Sequence, residues 1–252
     1  MTHSRLFKTS ILLIVFNIIA YPGFSQGNSN EKLDVSGSIS VMNEGISTVP
    51  SLALGEPAAI FNLSVGKRFR FEPELRFSLE GKPWSFLFWF RYDIVKNDKF
   101  SFRIGAHPAY SFRTVPALID EADQSEEIIE ARRFLAGDMN TSYSVTENFD
   151  VGFYYLGGHG LESSVPDQTH YLSLYSSIPN ISLFNDLYMS LRPQVYYLKI
   201  DEIDGFYVAS SFALGMIDIP FTISTTINKV IDSEIENDDP LWNISLNYSY
   251  RF

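Results

Sequence analysis

The sequence predicts an all-β fold: a transmembrane, antiparallel, up-and-down β-barrel of about 12 strands, with about ten as the alternative. Three observations carry that prediction. Apolar and polar residues alternate in segment after segment from Leu33 to the C-terminus, the period of a strand with two unlike faces. Apolar residues make up 45% of the chain and aromatics 15%, yet no segment beyond the N-terminus has the roughly 20 consecutive apolar residues of a membrane-crossing helix. From Glu80 onward short and long polar breaks alternate, as they do between the two rims of a membrane barrel.

The N-terminus reads as a secretory signal. Arg5 and Lys8 are basic, Ile11 to Ala20 is an apolar run broken only by Asn17, and Gly23 and Ser25 put small residues at positions −3 and −1 of a cleavage site. The run is too short for a comfortable membrane span. The expected organisation is a signal peptide, residues 1–25, followed by one barrel domain, residues 26–252. The chain contains no Cys, which excludes an N-terminal lipid anchor and disulfides alike; stability has to come from burial and backbone hydrogen bonding. Losing Arg5 and Lys8 with the signal takes the basic count from 19 to 17 against 30 acidic residues, a net charge of −13. That balance argues against nucleic acid as a partner, since phosphates require a basic patch.

The first strand is expected near Leu33 to Val41. Next, Phe61, Leu63, Val65, Phe69, Phe71, Leu75, Phe77 and Leu79 keep one parity. Twelve strands require a tight turn within Lys67–Glu74, where Pro73 is the sole breaker; without it the even-number rule lowers the count to ten. Phe86, Phe88, Phe90, Tyr92 and Ile94 then oppose Ser85, Trp89, Arg91 and Asp93. Phe100, Phe102 and Ile104 oppose Ser101, Arg103, Gly105 and His107. Two later segments, at Leu187–Tyr197 and Phe221–Asn228, repeat the pattern. In the last strand Trp242, Ile244, Leu246, Tyr248, Tyr250 and Phe252 share a face opposite Asn243, Ser245, Asn247, Ser249 and Arg251. Tight breaks fall near Lys96–Asp98, Glu147–Asn148, Asn185–Asp186 and Ile217–Asp218. Longer ones fall at Asn43–Pro57, Glu80–Pro83, Pro116–Glu127, Gly158–Gln168, Asp201–Gly205 and Asp232–Pro240. Charges in mid-strand on the non-apolar face favour a lipid-facing apolar wall around a polar lumen.

With the signal ending Gly23-Phe24-Ser25-Gln26, the amphipathic hairpins and the terminal strand Asn243 to Phe252, the chain resembles the small outer-membrane β-barrel proteins of Bacteroidota. The resemblance implies export to the cell outer membrane, with membrane lipid and lipopolysaccharide around the barrel. It also implies passage through the barrel-assembly machinery, for which Tyr248, Tyr250 and Phe252 resemble the recognition signal. It implies no activity.

Function is sought first in the lumen. Arg76, Arg91, Asp93, Arg103, His107, Asp138 and Arg192 fall on the non-lipid parity. Charges lining a pore tune ion selectivity, so the expectation is a passive, porin-like channel for small polar solutes or ions. The alternative is a plugged structural or interaction barrel in which these charges pair with one another. A second alternative is a lipid hydrolase built on His159, with Glu162, Ser163 and Ser164 behind it and His170 after the loop; such a site needs a nucleophile, a base and an orienting group in contact. No signature of an outer-membrane lipase or protease accompanies these residues, so no catalytic residue, cofactor or metal is assigned and the chain is read as a non-enzyme. His107 is read as a satisfied lumen residue, against the sharper idea of a pH-sensitive constriction.

Acidic residues crowd three external breaks: Asp120, Glu121, Asp123, Glu126, Glu127 and Glu130; Asp201, Glu202 and Asp204; and Asp232, Glu234, Glu236, Asp238 and Asp239. Divalent cations are candidate partners for such oxygen-rich loops. None has the spacing of an EF-hand, so a solvated acidic rim is expected.

Overall fold

The computed structural model describes residues 33–252, apart from 48, 50, 51, 117–126, 237 and 238. The expected signal peptide lies outside the described residues, as do Asp120, Glu121, Asp123, Glu126 and Asp238. Twelve strands follow one another: β1 (Asp34–Met42), β2 (Ala58–Gly66), β3 (Phe69–Ser78), β4 (Pro83–Lys96), β5 (Phe100–Pro116), β6 (Glu127–Thr146), β7 (Phe149–Gly160), β8 (Gln168–Phe184), β9 (Leu187–Ile200), β10 (Ile203–Met216), β11 (Phe221–Ser233) and β12 (Leu241–Arg251). Each pairs antiparallel with its sequence neighbours, and β1 pairs with β12 to close the barrel. Closure leaves no sheet edge, the condition for strands in hydrocarbon, where an unpaired backbone group finds no water.

The alternation that predicts the strands also fixes their faces. In β12, Leu246 is 52% exposed on the outer wall while its neighbour Ser245 is 5% exposed inside. Apolar side chains that face outward around the ring include Phe61, Phe90, Ile104, Leu135, Leu174, Val195, Phe206 and Ile223. Polar groups such as Asp93, His107, Asp138, Ser173, Asn228 and Asn243 are buried. This inside-out distribution is stable only with lipid outside.

The disputed turn lies at Lys67–Arg68. Val65 stands opposite Phe71 and Gly66 opposite Arg70, so residues of like parity face each other and the apolar alternation passes through the turn uninterrupted. Gly66 makes the bend at φ 135°, a backbone region suited to glycine. On the same rim Asn185 and Asp218 take positive φ, as does Asp201 on the opposite one, a conformation Asn and Asp tolerate in tight turns.

Two expectations about the connections need correction. Asp201–Gly205 is not a long loop: β9 ends at Ile200 and β10 begins at Ile203. Glu127 and Glu130 belong to β6, Asp204 to β10 and Asp232 to β11, so those acids stand on strands. The cause is strand length. β5, β6 and β8 run 17, 20 and 17 residues, beyond the roughly 9–11 that cross the hydrocarbon, and the β5–β6 ladder continues to Pro116 and Glu127.

Candidate functional site: a filled lumen

The charges predicted to line the lumen do face inward, and most meet a partner there. Adjacent strands β3 to β6 carry a continuous acid–base layer. Arg70 of β3 donates from its Nη1 and Nη2 to the two carboxylate oxygens of Asp93, at 2.7 and 3.1 Å, and from Nε to Glu72 at 2.9 Å. Arg91 of β4 donates to Glu72 at 2.7 Å and to Asp138 Oδ2 of β6 at 3.2 and 3.3 Å. The Tyr154 hydroxyl of β7 adds a third donor to the same oxygen at 3.3 Å. The Asp138 side chain is 1% exposed and that of Arg91 17%. Planar guanidinium forks suit this bridging between carboxylates.

The remaining predicted residues have other surroundings. Arg103 lies opposite Asp93 in the β4–β5 ladder, yet Asp93 is held by Arg70, and the buried Arg103 Nε meets no hydrogen-bond partner among the described residues. Arg76 pairs with Glu74 and lies over the Trp84 ring, 4.9 Å from its centroid. His107 is buried with its ring 3.8 Å from that of Trp89, and its Nδ1 is 3.3 Å from the Pro108 carbonyl. Arg192 lies over Tyr175 at 4.2 Å and is exposed.

On the other half of the wall, Tyr154, Tyr171, Tyr196 and Tyr207 form a row of rings across β7 to β10. Successive centroids are 5.9, 4.9 and 4.7 Å apart. The sequence pattern alone did not single out this row. Each ring shares the parity of inward polar residues, such as Ser173 beside Tyr171 and Gln194 beside Tyr196, and that parity was the available signal. The hydroxyls find partners inside: Asn228 donates to Tyr196 at 2.6 Å, and Tyr207 meets Ser233 at 2.7 Å. A buried tyrosine requires such a partner.

Described residues of the β1–β2 connection pack over this row. Val49 is buried against the cluster of Tyr171, Tyr196, Leu198 and Tyr207, Leu52 packs beside it, and Ile235 joins from the β11–β12 side. Trp84 Nε1 donates to the Leu52 carbonyl at 3.0 Å. Backbone bonds from Gly45 to Glu56 and from Leu54 to Gly45, both 2.7 Å, tie the base of the strap. Beneath it lies a cavity of about 240 Å³ lined by Val49, Leu52, Arg76, Trp89 and His107. A second space of about 390 Å³ is lined by Ser36, Asn62, Glu72, Trp89 and Arg91. Trp89 and Arg91 border both, so the acid–base layer is the partition between them.

The His159 constellation does not assemble. His159 faces outward, with Nδ1 3.1 Å from Asp167. Glu162 instead accepts from the backbone N–H of Arg133 at 2.9 Å and from its guanidinium. These hydrogen bonds from Arg133 hold the Glu162 carboxyl below its ordinary range. His170 Nδ1 is 2.9 Å from the Tyr155 hydroxyl. Among the described residues no hydrogen bond joins Ser163 or Ser164 to either histidine, and no group of three acidic or histidine side chains is placed to hold a metal ion. In the terminal strand, Tyr248, Tyr250 and Phe252 form a run of ring contacts at 6.3 and 5.6 Å.

No protein-family model matches the sequence, and no curated protein does. Among solved structures, outer-membrane expressed OmpT of Vibrio cholerae is similar with a TM-score of 0.46 at 8% identity, over 87% of this chain and 97% of that one. LpxR from Salmonella typhimurium gives 0.43 at 12% identity, over 86% and 100%. OccAB3 of Acinetobacter baumannii gives 0.39 at 13% identity, over 90% and 66%. With its apolar residues outside, its charges inside and its twelve strands closed into a ring, the chain is a β-barrel of the outer-membrane kind.

Proposed function

We propose that this is a plugged barrel, a structural or interaction protein of the bacterial outer membrane, and that it passes no solute in this form. The burial of Asp138, whose side chain is 1% exposed in mid-lumen, carries the reading: a water-filled pore would wet that carboxylate. The expectation of a passive channel loses support for the same reason, because conduction would require both the acid–base layer and the strap to move. Membrane lipid and lipopolysaccharide surround such a barrel, the assembly machinery reads Tyr248, Tyr250 and Phe252, and the acidic external rim is the surface left for divalent cations or another partner.

Conductance across a planar bilayer tests the proposal. Purified, folded wild-type protein should insert without current steps. Steady ohmic steps from the wild type would overturn the plugged reading and restore the channel.

A further inference from the structure

The outer wall holds a depression that the barrel's own packing does not require. Along one cross-strand row, Phe90 of β4 stands opposite Ala106, Ala106 opposite Gly137, Gly137 opposite Gly157, Gly157 opposite His170, and His170 opposite Lys199 of β9. The three smallest residues sit together between a phenyl ring and an imidazole. The result is a groove of about 660 Å³ walled by Phe90, Pro108 and Leu135 and ended by His159, Gln168 and His170.

The fold does not demand glycine at 137, and at 157 the close neighbour is the Tyr155 hydroxyl that meets His170. Gly137 and Gly157 are not among the glycines with positive φ. A Cβ on Gly137 would meet nothing nearer than the Gly105 carbonyl at 3.5 Å, and one on Gly157 would meet only the far end of the Tyr155 ring at 3.0 Å. Glycine weakens a strand and exposes a bilayer-facing backbone, so its use where a side chain fits marks a place where something approaches the wall closely.

The occupant is set by the two ends. Apart from its polar end the groove opens on the apolar wall that faces hydrocarbon, a surface that suits an acyl chain. At the long-loop rim it ends on the hydrogen-bonding side chains of His159, Gln168 and His170, and Lys199 is the next residue along the row. His170 uses Nδ1 on Tyr155 and keeps Nε2. Lys199 is in no ion pair among the described residues: Asp204, directly across from it, accepts instead from the Tyr197 hydroxyl at 2.9 Å. Two further acids stand at this end: Asp167 is engaged by His159, and Asp201 accepts from the Gln168 backbone N–H at 2.8 Å. A lone ammonium at the rim of an apolar groove complements an anionic headgroup.

We propose that this groove is a lipid site, seating one acyl chain of a phosphate-bearing lipid with its phosphate on Lys199 and His170. The proposal is independent of whether the lumen conducts.

Native mass spectrometry of the delipidated, detergent-solubilised chain tests it, with dimyristoyl phosphatidate and dimyristoylglycerol as probes that share their chains and differ in the phosphate. The wild type should retain one phosphatidate at concentrations at least tenfold below those needed for the glycerol. Gly137→Leu, which fills the groove, should abolish retention of both while the folded band on a heat-modifiability gel stays. Ala106→Leu serves as a second filling variant should the first fail to fold. Lys199→Gln with His170→Asn should erase the preference for phosphatidate and leave the weak binding of the glycerol. Equal retention by the wild type and a folded filling variant would overturn the site. A preference for phosphatidate that survives the Lys199 and His170 changes would overturn the assignment of the headgroup.

Discussion

The carboxylate of Asp138 occupies the place that a side chain on Gly105 would take. The two residues stand opposite each other in the β5–β6 ladder, and a Cβ on Gly105 would run into Asp138 Oδ1 and the Cγ of Arg91. Glycine here is a steric condition for the acid–base layer. Gly105→Ala should push the carboxylate off Arg91 and cost about 1–3 kcal/mol, the usual range for overpacking an interior. Urea titration of the protein refolded in micelles measures this, and an unchanged midpoint would show that the layer tolerates displacement.

Among the described residues, Arg91 is the only cation within hydrogen-bonding distance of both Glu72 and Asp138. Arg91→Met strands at least one buried carboxylate and should cost about 3–5 kcal/mol. Combining it with Glu72→Gln and Asp138→Asn should recover more than half of that loss, because the buried negative charge goes with the positive one. The same titration compares the two; a triple variant no more stable than the single one would mean that Arg91 acts through packing against Trp89, over which it lies at 4.0 Å.

The terminal strand separates lipid face from lumen face residue by residue. Leu246→Arg puts a charge on the outer wall and should cost about 2–4 kcal/mol near the bilayer midplane. Asn247→Arg should cost less, since Asn247 points inward toward Ser224 and Thr222. Heat-modifiable migration of membrane fractions reports the folded share. A healthy Leu246→Arg beside a failing Asn247→Arg would mean the faces are reversed.

The β7–β8 loop is tied to β6 by Glu162 and Arg133. Hydrogen bonding to Arg133 depresses the Glu162 pKa from its ordinary 4.5. A depressed carboxyl stabilises the bound loop fully above the free value, and the tie is lost as pH falls through the lowered one. Amide exchange in residues 161–167 should therefore be insensitive to pH above about 5 and faster, relative to its intrinsic rate, under strong acid. Glu162→Gln should remove that acid-dependent step; an identical step in the variant would assign it to another group.

The strands and their faces were legible because a bilayer imposes the same demand on every strand, so the alternation recurs from β1 to β12. The β1–β12 pairing followed from closure and is observed from Ser36–Arg251 to Met42–Ser245. The β2–β3 turn was hard to place because its register pairs residues of like parity, leaving no break in the pattern. The lumen was legible only by membership: parity named Arg91 and Asp138, while their partnership depends on which residues the ladders bring level. The strap was invisible, since Val49 and Leu52 are two apolar residues in a polar break until Tyr171, Tyr196 and Tyr207 give them a surface.

The β1–β12 seam has a consequence for biogenesis. Arg251 reaches Asp34 across 217 residues of sequence, the widest separation of any strand pairing in the ring. Until β12 pairs with it, β1 offers an unsatisfied row of amides and carbonyls, a template for pairing with the wrong chain. Contacts this remote in sequence form slowly, because the whole intervening loop must be ordered before they reward it. The ring therefore has a latch rather than a gradient of closure: eleven strands in register still form an open, aggregation-prone ribbon, and the twelfth converts it to a sealed cylinder in a single step.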